Sequence, residues 1–348
     1  MYAVIMAGGK GERLWPKSTK GKAKHILTFG TRNVMIQETI QRLRRGFAIE
    51  NIFLVTTKKQ YPSIRPYITT LKKSNIILEP EGKDTAAAIC LAALIIKKRF
   101  GNAAMVVLPA DHIIKNSQFF FKDIESAAKI AVSDSSMVTI GVRPKYPSVG
   151  YGYLKIGRRL NGHYALKRFI EKPGKKKAER FYRRKTFLWN SGIFVWNTDT
   201  VLSELKRYLP NLYYGLKDIV TFEGKKGYSA KLSSEYARIR PISIDYGIME
   251  RVAENKTQKI CCVMARFDWV DIGSWSSVEE IYDKDKEGNI ILSNSVLIDV
   301  KNSTVIGESG HKIGVIGVED IIIVQTKSGT LVCNKNRAQE VKALARNL

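Results

Sequence analysis

The chain has 348 residues, 44% hydrophobic and 26% charged, with 58 basic against 32 acidic side chains and a net charge of +26. That length buries a core without disulfide or metal staples, and the composition excludes a disordered or fibrous chain and suits about two folded domains. No apolar run reaches the roughly 20 residues of a membrane-spanning helix, and the N-terminus carries no basic, apolar leader pattern.

The first two-thirds alternates short apolar runs with amphipathic segments. Tyr2–Met6 reads as a buried strand, Met35–Arg45 as a helix, Ile52–Thr56 as a strand and Ser63–Lys73 as a helix. Asn75–Leu78 is a strand, Thr85–Arg99 a helix, Ala104–Leu108 a strand, Phe119–Val132 a helix and Met137–Val142 a strand. Alternation of this kind predicts an α/β fold with a mostly parallel, Rossmann-like sheet, helices on both faces, and ligands at the carboxyl ends of the strands.

From Gly150 to about Trp269 the pattern is mixed. Strands are expected near Tyr153–Ile156 and Phe194–Trp196, and helices near Thr198–Tyr208 and Ile248–Ala253, as an insertion that walls the sheet. The charged stretch Asp283–Asn289 reads as a linker, dividing a domain at 1–282 from a small one at 283–348. The second part holds short strands at Ser295–Val300, Ser303–Ile306, Lys312–Ile316, Asp320–Val324 and Thr330–Cys333, then a helix over Asn336–Arg346. Strands this short, parted by turn residues, suggest a small solenoid tail through which the chain dimerises.

The four cysteines, Cys90, Cys261, Cys262 and Cys333, form no CxxC pair and read as free thiols of a reducing cytoplasm. The basic clusters (Arg42 to Arg45, Lys72/Lys73, Lys97–Arg99, Lys175–Lys177, Arg183–Lys185, Lys225/Lys226) are spread along the chain without a nucleic-acid-binding motif. They read as solvated faces, with neither nucleic acid nor membrane as partner.

The stretch AGGKGERLWP, Ala7 to Pro16, follows the first strand. It fails the GxGxxG fingerprint, because Leu14 stands where the third glycine belongs, and the chain has no GxxxxGK[ST] there. Clustered glycines still let backbone N–H groups converge on an anion, and Lys10, Arg13 and Lys24 supply charge nearby. A bare strand-to-helix turn is the competing reading; Arg13 beside three glycines at the start of an α/β chain favours a phosphate cradle.

These residues resemble the GGxGxRL signature of the nucleotidyltransferases that activate sugar phosphates, and Leu14-Trp15-Pro16 is similar to the mannose-1-phosphate guanylyltransferases among them. The resemblance continues in order through Gln37-Glu38-Thr39, EPEGKDTAAAI from Glu79, LPADH from Leu108, Gly150-Tyr151-Gly152-Tyr153 and Glu171-Lys172-Pro173. It ends with Trp189-Asn190-Ser191-Gly192, Ser243-Ile244-Asp245-Tyr246 and Asp271-Ile272-Gly273-Ser274-Trp275. It covers nearly the whole chain and implies a C-terminal domain like a short left-handed β-helix.

The resemblance implies transfer of GMP from GTP to mannose 1-phosphate, by in-line attack on the α-phosphorus with Mg²⁺ held by Asp111 and Asp271. Hard carboxylate oxygens suit that ion. Arg13 and Lys24 are the expected catalytic cations, since fixed positive charge stabilises a departing pyrophosphate. Ala7, Gly8, Gly9, Gly11, Glu79, Gly82 and Thr85 are expected around the nucleotide. Glu79 favours guanine, whose N1–H and N2–H₂ are two adjacent donors that one carboxylate accepts. Gly152, Glu171 and Asn190 would meet the sugar and Lys172 its phosphate. His112 is expected to be structural, because a phosphate monoester is already a nucleophile. Departures from the family pattern stand at Ala23, Asp84, Ala87, Ser148 and Val149.

Two other outcomes are compatible with the same motifs: transfer to another sugar 1-phosphate (glucose or heptose), and a non-catalytic paralogue that binds nucleotide sugar. Intact Arg13, Asp111 and Asp271 argue against the second, and the short tail argues against a fused isomerase.

Overall fold

Four runs of β-branched and aliphatic residues build the parallel half of the central sheet: β1 (Tyr2–Met6), β2 (Ile52–Thr57), β3 (Ile76–Glu79) and β4 (Ala104–Pro109). β1 pairs in parallel with both β2 and β4, and β2 with β3. Helices α1 (Met35–Leu43), α2 (Tyr61–Ile64) and α3 (Asp84–Phe100) connect them. In the computed structural model every residue is described except Lys10, Lys20, 256–259 and Ser309; the charge expected from Lys10 therefore lies outside the described residues.

Beyond β4 come β5 (His112–Lys115), α4 (Ser117–Ser133), β6 (Met137–Val142), β7 (Tyr153–Leu160), β8 (His163–Ile170), α5 (Lys175–Tyr182) and β9 (Phe187–Asn197). Helices α6 (Thr198–Tyr208), α7 (Pro210–Val220), α8 (Tyr228–Arg238) and α9 (Glu250–Glu254), then β10 (Ile260–Met264) and β11 (Asp268–Asp271), complete the larger part. The nine-stranded sheet runs β3-β2-β1-β4-β9-β6-β10-β8-β7. β9 is antiparallel to β4, β6 and β7, so the mixed character of the sheet begins where the insertion enters it. One face carries α3, whose Ala86–Ile96 is buried throughout, with α6 to α8; the other carries α1, α4 and α5.

Some sequence expectations are corrected. The helix read over Ser63–Lys73 ends at Ile64, followed by a 3₁₀ turn at Arg65–Tyr67. Pro66 cannot donate to a helical ladder, and the chain breaks there. The helix near Ile248 begins as a π-turn, Asp245–Met249, before α9. Strands β8 and β10 and helices α5, α7 and α8 escaped the pattern reading; α5 is so rich in lysine that its apolar stripe is reduced to Ala178 and Phe181. The basic runs at 175–177 and 183–185 are not separate surfaces either. Lys176, Arg180, Arg183 and Arg184 line one groove along α5.

The tail stacks β12 (Ile290–Leu292), β14 (Thr304–Gly307) and β16 (Ile321–Thr326) in parallel, and β13 (Asn294–Lys301) with β15 (Lys312–Glu319) as a second wall. β17 (Gly329–Asn334) turns back antiparallel on β16. The last segment is a 3₁₀ turn, Lys335–Glu340, leading into α10 (Val341–Asn347), not one helix. Leu14, Leu27, Phe29 and Met35 share a buried cluster with Ile272, Trp275, Val324, Leu331 and Val341, so the tail is packed onto the glycine-rich loop.

Candidate active site

The loop from β1 starts from a fixed post. Ala7 is buried, its N–H spent on the Val55 carbonyl and its own carbonyl taken by the Thr56 hydroxyl. Ala7 is thus an anchor and not a spare backbone donor. Gln60 Nε2 donates to the carbonyls of Gly8 and Gly9, and both glycines face open space where a Cβ would stand. Gly11 has φ +72° and sits so close to Lys24 that a Cβ would come within 2.6 Å of the lysine Cβ. Arg13, in the 3₁₀ turn Glu12–Leu14, is half-exposed and has no ion pair or hydrogen bond among the described residues.

Ala23 leads into Lys24 with φ −70° and ψ 157°, the conformation a proline would impose. The departure from the family pattern at this position therefore leaves the backbone path unchanged. Lys24 is buried, and its Nζ lies 2.7 Å from Asp111 Oδ2 and 2.9 Å from Asp271 Oδ1.

Strand pairing explains how two carboxylates far apart in sequence meet. Asp111 sits between β4 and β5, and β11 runs antiparallel to β5 with Asp271 opposite His112. Burial works against the Lys24 charge, but Asp111 and Asp271 outweigh it and raise the ammonium pKa. Burial likewise works against the Asp111 charge; Lys24 and then His112 overcome it and hold the carboxyl well below its usual range.

His112 is buried, and burial pushes its pKa down despite both aspartates. Its Nδ1 accepts from Trp269 Nε1 at 3.1 Å, and Nε2 stays 3.9 Å from Asp271. It is a neutral ring that shapes the floor of the cluster. Thr39 donates to the Ala110 carbonyl, and the Arg42 guanidinium donates to Thr39 and to the His112 carbonyl, so α1 braces the Asp111 turn.

At the end of β3, Glu79 is buried with Oε1 accepting from the Tyr236 hydroxyl at 3.1 Å. Burial pushes its carboxyl up to about 7, with Tyr236 opposing. Asp84 opens α3 with φ +64°, a backbone region that Asp and Asn tolerate, and its Oδ1 accepts from the Thr85 N–H. A Cβ added at Gly82 would stand 3.8 Å from the Thr57 methyl, an ordinary contact, so the site tolerates one. The Thr85 hydroxyl oxygen accepts from the Ile244 N–H at 2.8 Å, which ties the α3 end to the segment carrying Asp245.

The sugar-side residues also converge. Asn190 Nδ2 donates to Asp245 Oδ1 at 3.0 Å, while its Oδ1 accepts from Thr139 and the Gly192 N–H. Glu171 pairs with Lys172 at 3.1 Å, and the Glu171 N–H is held by Glu250 at 2.9 Å. Glu171 Oε2 is buried with no hydrogen-bond partner among the described residues and lies against Gly152, where any Cβ would run into it. Burial and then Glu171 push Asp245 up to about 7, and burial raises Glu171 despite Lys172. Asp245 and Glu250 are additions to the residues singled out by sequence; Asp245 stood in the quoted motif, and the π-turn it opens is the structural signal.

The two clusters adjoin. Tyr151, one residue before Gly152, donates to the Asp271 backbone carbonyl at 3.4 Å, and Arg13 is near enough to Lys172 to repel its charge. No group of three or more His, Cys, Asp or Glu that could hold a metal ion occurs among the described residues; Asp111 and Asp271 meet as a pair on Lys24.

The nucleotidyl transferase family model matches residues 2–288, and the mannose-phosphate isomerase/GMP-like β-helix domain model matches 293–348. A Klebsiella pneumoniae protein named mannose-1-phosphate guanylyltransferase is 35% identical over 98% of this chain and 72% of its own length. The alginate biosynthesis protein AlgA of Pseudomonas putida is 32% identical over all of this chain and 71% of its own. A crystal structure described as mannose-1-phosphate geranyltransferase from Thermus thermophilus superposes with TM-score 0.88 at 30% identity, covering 99% of this chain and 98% of that one. The fold, the ordered motifs and these relatives agree: the chain belongs to the nucleotidyl transferase family, on the branch that holds the mannose-1-phosphate guanylyltransferases.

Proposed function

We propose that the chain transfers GMP from GTP to mannose 1-phosphate, giving GDP-mannose and pyrophosphate. The observation that carries this reading is the Lys24 ammonium clamped by Asp111 and Asp271 at the strand ends, one residue step from the Asn190–Asp245–Glu171 cluster. A cation site for phosphates and a polar site for hydroxyls share one wall. The name of the relative at 35% identity, mannose-1-phosphate guanylyltransferase, points to the same pair of substrates.

In this reading the glycine loop and Arg13 receive the triphosphate, with Lys24 beside it. A phosphate oxygen of mannose 1-phosphate attacks the α-phosphorus in line as its bond to pyrophosphate breaks. Arg13 and Lys24 stabilise the charge on the departing pyrophosphate. Lys172 draws in the attacking phosphate, and Glu171 and Asn190 orient the sugar over Gly152. Holding two anions in one geometry removes most of their orientation cost. Glu79, when ionised, accepts from the guanine N1–H and N2–H₂.

A divalent cation, Mg²⁺, fits the donor set. Two hard carboxylate oxygens already converge on one positive atom, and an ion that keeps water and phosphate ligands needs no more from the protein. Asp111 and Asp271 would hold it, and it would supply Lewis-acid charge to the phosphate oxygens. We further propose a homodimer through the C-terminal domain. Ile298 and Ile316 are cross-strand neighbours on β13 and β15, both more than half exposed, and Val296 lies beside them. Cys90, Cys262 and Cys333 form no disulfide, which suits a cytoplasmic enzyme; no helix among the described residues is long and apolar enough to cross a membrane.

Pyrophosphate release from a matrix of nucleoside triphosphates and sugar 1-phosphates, with and without Mg²⁺, tests the reading. GTP with mannose 1-phosphate should release it fastest and only with the metal. Silence in every combination would overturn the enzyme, and release with UTP in place of GTP would overturn the role of Glu79.

A further inference from the structure

Arg13 is a cation on the turn that follows the glycine loop, yet nothing among the described residues tethers its side chain. Its neighbours are held instead, in large part by the C-terminal segment. Glu12 Oε2 accepts from Arg346 Nε at 3.2 Å and pairs with its Nη2 at 3.2 Å, with Lys342 Nζ at 4.0 Å. Leu14 is fully buried in the cluster that includes Leu331, Ala338 and Val341. The Trp15 ring lies over Gly329, close enough that a Cβ there would come within 2.9 Å, and the Trp15 carbonyl accepts from Trp275 Nε1 at 2.8 Å. Gln339 Nε2 donates to Ser274, three residues beyond Asp271. The C-terminal segment thus grips both the turn that carries Arg13 and the stretch that follows Asp271.

We propose that Arg346 is a positioning residue for nucleotide transfer: by latching Glu12 it sets the turn that aims Arg13, and makes α10 a working wall of the triphosphate site. The proposal rests on the assignment of the loop to GTP. The latch has an electrostatic side as well. Glu12 is a carboxylate next in sequence to a phosphate-binding arginine, where a bare negative charge repels a triphosphate; Arg346 and Lys342 neutralise it. The pair is half-exposed, so its direct worth to folding is small, and its effect belongs to binding geometry.

This predicts an asymmetry. Arg346→Ala frees the turn and uncovers the Glu12 charge, whereas Glu12→Gln frees the turn but removes the charge. Arg346→Ala should weaken GTP binding by about tenfold, a cost typical of a small misplacement at a reacting centre, and Glu12→Gln by less. The KM for sugar phosphate and the melting temperature should hold. Once Glu12 is Gln, adding Arg346→Ala should do almost nothing further. The exchange Glu12→Lys with Arg346→Glu should recover part of the loss.

Calorimetric titration of GTP into each variant without sugar phosphate reads the latch by itself, and turnover is measured separately. Intact binding effects with no turnover in any protein would fault the proposed reaction and leave the latch standing. Unchanged GTP affinity in Arg346→Ala, additive losses in the double variant, or equal rises in both KM values would overturn the latch.

Discussion

The phosphate end and the sugar end of the site use the same residue types for opposite purposes. At the phosphate end, Asp111 and Asp271 close on Lys24, one ammonium shared between two carboxylates. At the sugar end, Asp245, Glu171 and Glu250 crowd together with Lys172 against them, and burial drives Asp245 up to about 7. The first keeps its charges fixed with one negative charge in excess, which suits a divalent cation that would in turn hold phosphate. The second holds a carboxyl able to donate as well as accept, which suits hydroxyl groups. What distinguishes them is the balance of cations per carboxylate, not burial, since both are shielded.

The largest expected effect comes from breaking the charged end. Asp111→Asn or Asp271→Asn keeps the shape and removes one of two carboxylates, and each should cut turnover by about 10²–10³-fold or more, on the scale of losing an aimed electrostatic group. Circular dichroism and a melting curve would show the fold intact. A variant that kept normal turnover would remove that carboxylate from the site.

The glycines at the two ends offer a second contrast. In Gly11→Ala the new Cβ meets the Lys24 Cβ at 2.6 Å and its backbone nitrogen at 3.1 Å, from a φ of +72° that L side chains resist. It should lose about 1–3 kcal/mol of stability and most activity. In Gly152→Ala the Cβ meets the tip of the Glu171 side chain, which can swing away. Stability should barely move, while KM for mannose 1-phosphate rises several-fold with KM for GTP unchanged. Equal melting shifts in the two variants would erase the distinction.

Much of this was legible in the sequence. Buried parallel strands announce themselves as unbroken aliphatic runs, and β1, β2, β4 and β6 fall within a residue or so of where the pattern puts them. Ordered motifs point to Asp111, Asp271, Glu171 and Asn190, and the structure groups them as two adjoining clusters. What could not be read was pairwise. No spacing says that Lys24 lies between two aspartates; that needs the β5–β11 register, set by Asp271 facing His112. Asp245 stood in a motif, but its raised pKa arises in part from Glu171, which lies far off in the chain. The grip of α10 on Glu12 joins opposite ends of the chain through two polar side chains, which leave no hydrophobic period to detect.

The pH dependence of stability should separate the ends by sign. The Asp111 carboxyl is lowered in the folded state, so its stabilisation is complete above its ordinary value of 3.8 and is lost as pH falls below it. Asp245 is raised from 3.8 to about 7, so the folded state holds a proton that the unfolded chain has released. Stability therefore declines as pH rises across that window and levels off above it. Asp245→Asn should flatten the melting curve between about pH 4 and 7, whereas Asp111→Asn should flatten its acid edge. A wild-type-like slope in Asp245→Asn would transfer the proton to Glu171 or Glu79, the other raised carboxyls.

The smallest effect tests the backbone that delivers Lys24. Ala23 already has the φ and ψ of a proline, its N–H makes no backbone hydrogen bond among the described residues, and Lys22 before it lies in a β-bridge, the extended state that proline asks of its predecessor. Ala23→Pro should therefore stabilise the protein by about 0.4–1 kcal/mol, by narrowing the unfolded ensemble. Because the folded path does not change, Lys24 stays between its aspartates and turnover should match the wild type. A gain in melting temperature with unchanged kinetics would mean that the phosphate end is rigid before substrate arrives. Lost turnover with the same gain would mean that Lys24 must leave its carboxylates during the reaction, and that the turn at Ala23 is the hinge that lets it.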